Sequence, residues 1–291
     1  NKYAFRLEKN MLGAIIGDMV GSQYDFNPIK TKKFNAFNPN NKMTDDSYLT
    51  IAVAKVLLKH YPIKYTQKEL EKIQKELTNE FVLTFKNHPF VGYGDLFVRW
   101  CLNPDRKPYN SFGNGSAMRI SSVGWIANSG EEVKILSKTV SEITHNHKEG
   151  LKGAEAVALC VYLARKGYSK KEIRDRMIND YYPEIKELDF ETLVKTYRFE
   201  ATCPGSVPQA IYCFLISHGL EDAIKNCIAI GGDCDTTGAM AGAIAEAYYQ
   251  KNKVSKFEDM FMYYFIDKEY VNLILKLHKT INSKKFENKN Y

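Results

Sequence analysis

An all-α domain of a dozen or so helices is what the sequence predicts, and three observations predict it. Apolar residues recur at three- and four-residue spacings along most of the chain. No β-branched alternating run is bounded by a two-residue turn, and no Pro/Gly/Ser-rich linker or internal repeat divides the chain. With 291 residues, 44% hydrophobic and 13% aromatic, the chain can bury a substantial core. A single compact domain over 1–291 is expected, with its core at about 11–282 and a basic C-terminal tail.

The helical period places elements over Thr50–Tyr61, Gln67–Phe85, Gly94–Leu102, Glu131–Ile143, Gly153–Tyr168, Lys170–Asn179, Val207–Ser217, Leu220–Ile230, Thr236–Gln250 and Lys268–Ile281. Ser169 and Asp222 mark helix starts. MLGAIIGDMVGSQYDF (Met11–Phe26) is unusual because Gly13, Gly17 and Gly21 recur every four residues and would form one stripe on a helix. Each such glycine costs roughly 1 kcal/mol relative to alanine, which close packing by a helix or a ligand would offset. Asp18 and Asp25 share a face if the helix lasts that far; on this segment alone they read as surface acids.

Composition excludes several classes. Lys plus Arg exceed Asp plus Glu by 41 − 34 = 7, mostly through scattered and C-terminal lysines, which read as a solvated surface. No basic stripe interleaved with aromatics points to nucleic acid. None of the six cysteines forms a CxxC pair, so buried free thiols are expected instead of a zinc framework. No leader or bilayer-spanning stretch is read, so a cytoplasmic monomer without membrane association is expected.

Two acidic clusters carry chemistry. Thr44, Asp45 and Asp46 precede one apolar helix; Asp233, Asp235 and Thr236 precede another, behind Gly231 and Gly232. One oxygen suffices for a helix cap, and adjacent carboxylates repel. Brought together, the clusters would offer four carboxylates and two hydroxyls, a hard-oxygen set suited to two divalent cations, Mg²⁺ or Mn²⁺. Thr237 has no evident role.

SFGNGSAMRISSVGW (Ser111–Trp125) supplies a glycine-rich turn at a helix start, which favours phosphate, although it matches neither GxGxxG nor a Walker A motif. Arg119 follows it. Of His145 and His147, two apart after Thr144, one facing a ligand is plausible; His147 reads as a surface residue at a helix junction. ATCPGSVPQAIY (Ala201–Tyr212) reads either as a cleft-lining turn or as an ordinary connection.

In combination, GAIIGDMVG (Gly13–Gly21), TDD (Thr44–Asp46), GNGSAMR (Gly113–Arg119), TH (Thr144–His145) and GGDCDT (Gly231–Thr236) resemble the ADP-ribosylglycohydrolase family, in the family's order. The resemblance implies an all-α fold with a central dinuclear Mg²⁺ or Mn²⁺ site held by Thr44, Asp45, Asp46, Asp233, Asp235 and Thr236. It implies that Asn114, Gly115, Ser116, Met118 and His145 bind ADP-ribose, and that Asp25, Asp46 and Asp233 serve the hydrolysis of a bond to ribose C1. ADP-ribose or an ADP-ribosylated protein is the implied ligand, with arginine the family's best-known acceptor and serine, O-acetyl and nucleic-acid linkages left open. One departure stands out: where the family usually carries Glu, four residues after the third glycine, this chain has Asp25. The alternative is therefore a catalytically impaired ADP-ribose-binding or immunity-type module that blocks an ADP-ribosyltransferase.

Overall fold

The computed structural model describes residues 12–249, 256–264, 266, 268–270, 272–273, 276 and 279. In chain order the helices are α1 (Leu12–Gly21), α2 (Asp45–Lys59), α3 (Gln67–Asn87), α4 (Asp95–Leu102), α5 (Gly115–Met118), α6 (Ser121–Ile126) and α7 (Gly130–Ser141). They continue with α8 (Lys148–Lys166), α9 (Lys170–Asp180), a 3₁₀ turn (Pro183–Glu187), α10 (Phe190–Thr196), α11 (Cys203–Leu215), α12 (Leu220–Ile230), α13 (Cys234–Tyr249) and α14 (Lys256–Tyr264). No strand occurs among the described residues; an isolated bridge joins Gly113 and Thr202. The fold is all-α, as the periodicity predicts.

Helix starts follow side-chain caps. Thr66, Ser129, Ser169, Asp189 and Thr202 accept hydrogen bonds from first-turn backbone N–H groups, and Ser169 forms a full capping box with Glu172. Where a cap lies upstream of the apolar period, the helix begins earlier than predicted: α2 at Asp45, α8 at Lys148 and α11 at Cys203. The glycine-rich turn marks the start of the short α5, whereas α6 and α10 escape the sequence reading because six or seven residues are too few to show a sustained period. Most of the element expected at Lys268–Ile281 lies outside the described residues, and those described within it are helical.

The core is built on α1 and α13. Every residue of α1 is buried, as is α13 from Cys234 to Ala247, so neither helix has a solvent face. They run antiparallel in backbone contact: Gly13 meets Gly242, Gly17 meets Gly238, and Gly21 meets Cys234 and Asp235. A Cβ on any of the three would collide with the partner's backbone, which explains the glycine stripe. Buried Glu246 of α13 accepts from the N–H of Gly13 at 2.6 Å, satisfying an otherwise unpaired donor at the start of α1. Helices α8, α11 and α12 pack around α13, and α2 against α1. The six cysteines are buried free thiols.

The antiparallel pairing sets the C-terminal end of α1 beside the N-terminal end of α13. Gly231 and Gly232, at φ 80° and 82°, turn the chain from α12 into α13 in a conformation that other residues rarely adopt. A Cβ on Gly232 would strike the Tyr197 ring.

Candidate functional site

A cavity of about 780 Å³ opens at this end of the helix pair. Thr44, Asp45, Asp46, Asp233, Asp235, Thr236 and Asp25 all line it, together with Asn114, Gly115, Met118 and His145. Two carboxylate groups form, each with ligand oxygens within 4.8 Å of one another: Asp18, Asp46 and Asp235, and Asp25, Asp233 and Asp235. Asp235 belongs to both, and Asp45 to neither.

Helix ends deliver these side chains. Thr44 is the N-cap of α2, and its Oγ1 accepts from the N–H of Asp46 at 3.3 Å. The same hydroxyl lies 3.2 Å from Asp46 Oδ2 and 3.3 Å from Asp235 Oδ2, the latter 191 positions from Thr44 along the chain. Helix α1 ends at Gly21, so Asp25 sits in the following turn, where its Oδ1 accepts from the N–H of Asp235 at 3.1 Å. The Thr237 hydroxyl donates to the Asp233 carbonyl at 3.0 Å and closes the first turn of α13, a structural role that the sequence does not reveal.

Asp18 is not a surface acid. Fully buried, it accepts from the Thr44 N–H at 2.8 Å, the Thr44 hydroxyl at 2.6 Å, the Ser47 N–H at 3.2 Å and the Ser47 hydroxyl. It therefore ties α1 to the start of α2 and holds Thr44 in place. The available signal was a carboxylate inside an otherwise apolar, glycine-striped run, since a charge on such a helix needs partners.

Burial pushes the carboxyls of Asp18, Asp46 and Asp233 well above the ordinary range, and the charge of Asp235 adds to the effect. The same two causes raise Asp25 to about 8 and Asp45 to about 7. Asp46 Oδ1 is buried without a hydrogen-bond partner. Crowded carboxylates with an orphaned oxygen call for protons or cations, and hard oxygen donors of this kind fit Mg²⁺ or Mn²⁺.

The glycine loop borders the same cavity. Backbone bonds from Asn114 N–H to the Ala201 carbonyl and from Cys203 N–H to the Phe112 carbonyl, both 2.8 Å, fasten it to the start of α11. Ala201 lines the cavity, so this connection does border the cleft. The Asn114 amide donates to Asp233 Oδ2 at 2.8 Å and to Ser206 Oγ at 3.2 Å, linking the loop to the acidic cluster. Ser116 turns away: its fully buried hydroxyl donates to the Gly150 carbonyl at 2.7 Å, joins α5 to α8, and lies outside the cavity lining. Its side chain therefore serves the packing of α5 on α8.

His145 follows α7 in the turn before α8 and lies beside the glycine loop. His147 instead caps α8, its Nδ1 accepting from the N–H of Glu149 at 3.0 Å. Buried Arg119 stacks over Phe81 at 4.5 Å and donates to the Thr144 hydroxyl at 2.8 Å. Burial lowers its pKa to about 10, with Tyr109 and Asp45 opposing, so it remains a cation.

The family model described as ADP-ribosylglycohydrolase matches residues 2–256. The ADP-ribosylhydrolase ARH3 of Homo sapiens is 26% identical over 314 aligned positions, covering 84% of this chain and 85% of the human protein. The Gallus gallus protein of the same name is 28% identical over 72% of this chain and 71% of its own. A solved structure titled ADP-ribosylglycohydrolase-related protein complex superposes with TM-score 0.68 at 20% identity, covering 94% of this chain and 98% of that one. That likeness shows the fold. The match across nearly the whole chain, on an all-α frame that gathers the family's motifs around one cavity, makes this protein a member of the ADP-ribosylglycohydrolase family.

Proposed function

We propose that this glycohydrolase removes ADP-ribose from a modified acceptor with the help of two divalent cations, and that ADP-ribosyl-arginine is its first candidate linkage. One observation carries the reading: all six residues proposed as oxygen ligands line the same cavity as Asn114, Gly115, Met118 and His145. Thr44, Asp45, Asp46, Asp233, Asp235 and Thr236 would hold the cations. Bound there, divalent cations would supply Lewis-acid polarisation and a water of lowered pKa.

The chain's own residues account for the remainder. The loop at Asn114, Gly115 and Met118, with His145, would hold the diphosphate and distal ribose beside the acids. Asp25, Asp46 and Asp233 would stabilise the positive charge that develops on the sugar as its C1 bond breaks. Asp25 stands in the carboxylate group with Asp233 and Asp235 despite its shorter side chain, which supports an active enzyme over an impaired binding module. The resemblance to the family makes arginine the first acceptor to test.

A panel of arginine-, serine-, acetyl- and nucleic-acid-linked ADP-ribose, assayed with Mg²⁺, Mn²⁺ or chelator, tests this. Release of free ADP-ribose that chelator stops, fastest from arginine, is expected. The reading fails if Asp45→Ala hydrolyses every linkage at the wild-type rate, or if phosphate is released instead.

A further inference from the structure

Behind His145 runs a buried chain of hydrogen bonds. Arg119 Nη2 donates to Thr144 Oγ1 at 2.8 Å, and Thr144 Oγ1 lies 2.8 Å from His145 Nδ1. Thr144 is fully buried, Arg119 nearly so, and His145 is 5% exposed. Each link constrains the next. A guanidinium can only donate, so one lone pair of Thr144 is taken by Arg119. The Tyr109 ring lies beside His145, with ring centroids 5.8 Å apart, and burial pushes its phenol pKa up to about 12, so it keeps its proton.

Thr144 has one proton to give, and its acceptors are unequal. The Ser141 carbonyl is 3.4 Å away, beyond the usual N–H or O–H bonding range, whereas His145 Nδ1 is at 2.8 Å. With Nδ1 accepting, the imidazole proton belongs on Nε2. That nitrogen faces the glycine loop: a Cβ on Gly115 would lie 3.1 Å from it, and one on Gly113 3.7 Å. Among the described residues Nε2 has no hydrogen-bond partner, and His145 borders the cavity.

We propose that Thr144, with its oxygen held by Arg119, is a positioning residue that locks His145 as the Nε2–H tautomer, so that the cavity presents a fixed N–H donor to an acceptor oxygen of the ligand. Burial, reinforced by the Arg119 charge, holds the imidazole pKa well below its usual value, so the ring donates as a neutral group. The ligand chemistry selected is a phosphate or hydroxyl oxygen at the Gly113–Gly115 loop. That consequence rests on reading the cavity as an ADP-ribose site; the tautomer does not.

The test uses the full chain labelled with ¹⁵N-histidine and long-range ¹H–¹⁵N correlation spectra. The wild type is expected to show His145 with bare Nδ1 and protonated Nε2, on both sides of the ordinary imidazole pKa of about 6.5. Thr144→Val should lose that tautomer preference and weaken ADP-ribose binding by roughly three- to tenfold. Thr144→Ser, which keeps the hydroxyl, should restore both. An Nδ1–H tautomer in the wild type overturns the proposal, and so does Thr144→Val with tautomer and affinity unchanged. If Thr144→Val fails to fold, the wild-type spectrum still decides. Wild-type protein that shows the Nε2–H tautomer yet does not bind ADP-ribose would sink the functional reading and leave the positioning role standing.

Discussion

The carboxylate of Asp25 accepts a hydrogen bond from the backbone N–H of Asp235 at 3.1 Å, joining the turn after α1 to the first turn of α13. Its length matters because this bond sets where the second carboxylate oxygen stands. Glu at this position would overreach by one methylene and break the bond. Asp25→Glu is therefore expected to lower kcat by about tenfold or more, since a displacement of about 1 Å can cost roughly 100-fold. A large gain in rate would show instead that Asp25 is a handicap.

Gly17 and Gly238 cross backbone to backbone. Gly17→Ala would drive a methyl into the Gly238 carbonyl and should destabilise the protein by about 3 kcal/mol or more in chemical denaturation. Gly130→Ala is the control, because a Cβ there meets nothing within 4 Å and Gly130 starts a helix. It should leave stability unchanged or raise it by up to about 1 kcal/mol.

The acidic cluster predicts a crossover in stability. Asp46 is buried among like charges, so in chelator Asp46→Asn should be more stable than wild type. With Mg²⁺ or Mn²⁺ at about 100 times Kd, the wild type should gain about 2.7 kcal/mol and the variant little. Thermal melts of both proteins, with and without cation, would show whether the curves exchange order.

Asn114 and Ser116 should separate in their effects. Asn114 holds Asp233, so Asn114→Ala should lower activity by roughly 10- to 100-fold, as loss of a partner that orients a ligand does. Ser116→Ala removes the bond to Gly150 and the weaker contact with Cys203 Sγ, costing about 1–2 kcal/mol of stability and leaving ADP-ribose affinity unchanged. Isothermal titration and denaturation of the two variants would check the division.

His145 also predicts a pH slope. Its folded pKa is depressed by burial and by Arg119, so below about pH 6.5 the unfolded chain binds a proton that the folded chain refuses. The contribution of this group to stability should fall as pH drops through that range, by up to about 1.4 kcal/mol per unit, against the opposite slope of the raised Asp25 and Asp45 carboxyls. The difference between wild type and His145→Gln should therefore shrink as pH falls; a difference that does not change with pH would show that the ring titrates normally.

Much of the fold was legible along the chain. The period of Leu220–Ile230 matches α12 residue for residue, and the stripe at Gly13, Gly17 and Gly21 announced a helix in backbone contact with a neighbour. Helix type and cap chemistry arise within a few residues, so a linear reading can find them. The acidic clusters at Thr44–Asp46 and Asp233–Thr236 and the glycine loop were visible for the same reason, as short motifs at helix starts.

Side-chain direction was not legible. Asp18 looked like a surface acid and is a buried strut; Ser116 sits in the glycine loop's motif and faces α8; Asn114 reaches across to Asp233. These outcomes depend on partners between 26 and 119 positions away. The sequence by itself determined the helices and the kinds of residue at their ends. Only the tertiary structure decided that Thr44 and Asp235 meet at 3.3 Å, because that meeting requires α1 and α13 to approach closely enough for glycine alone to fit between them.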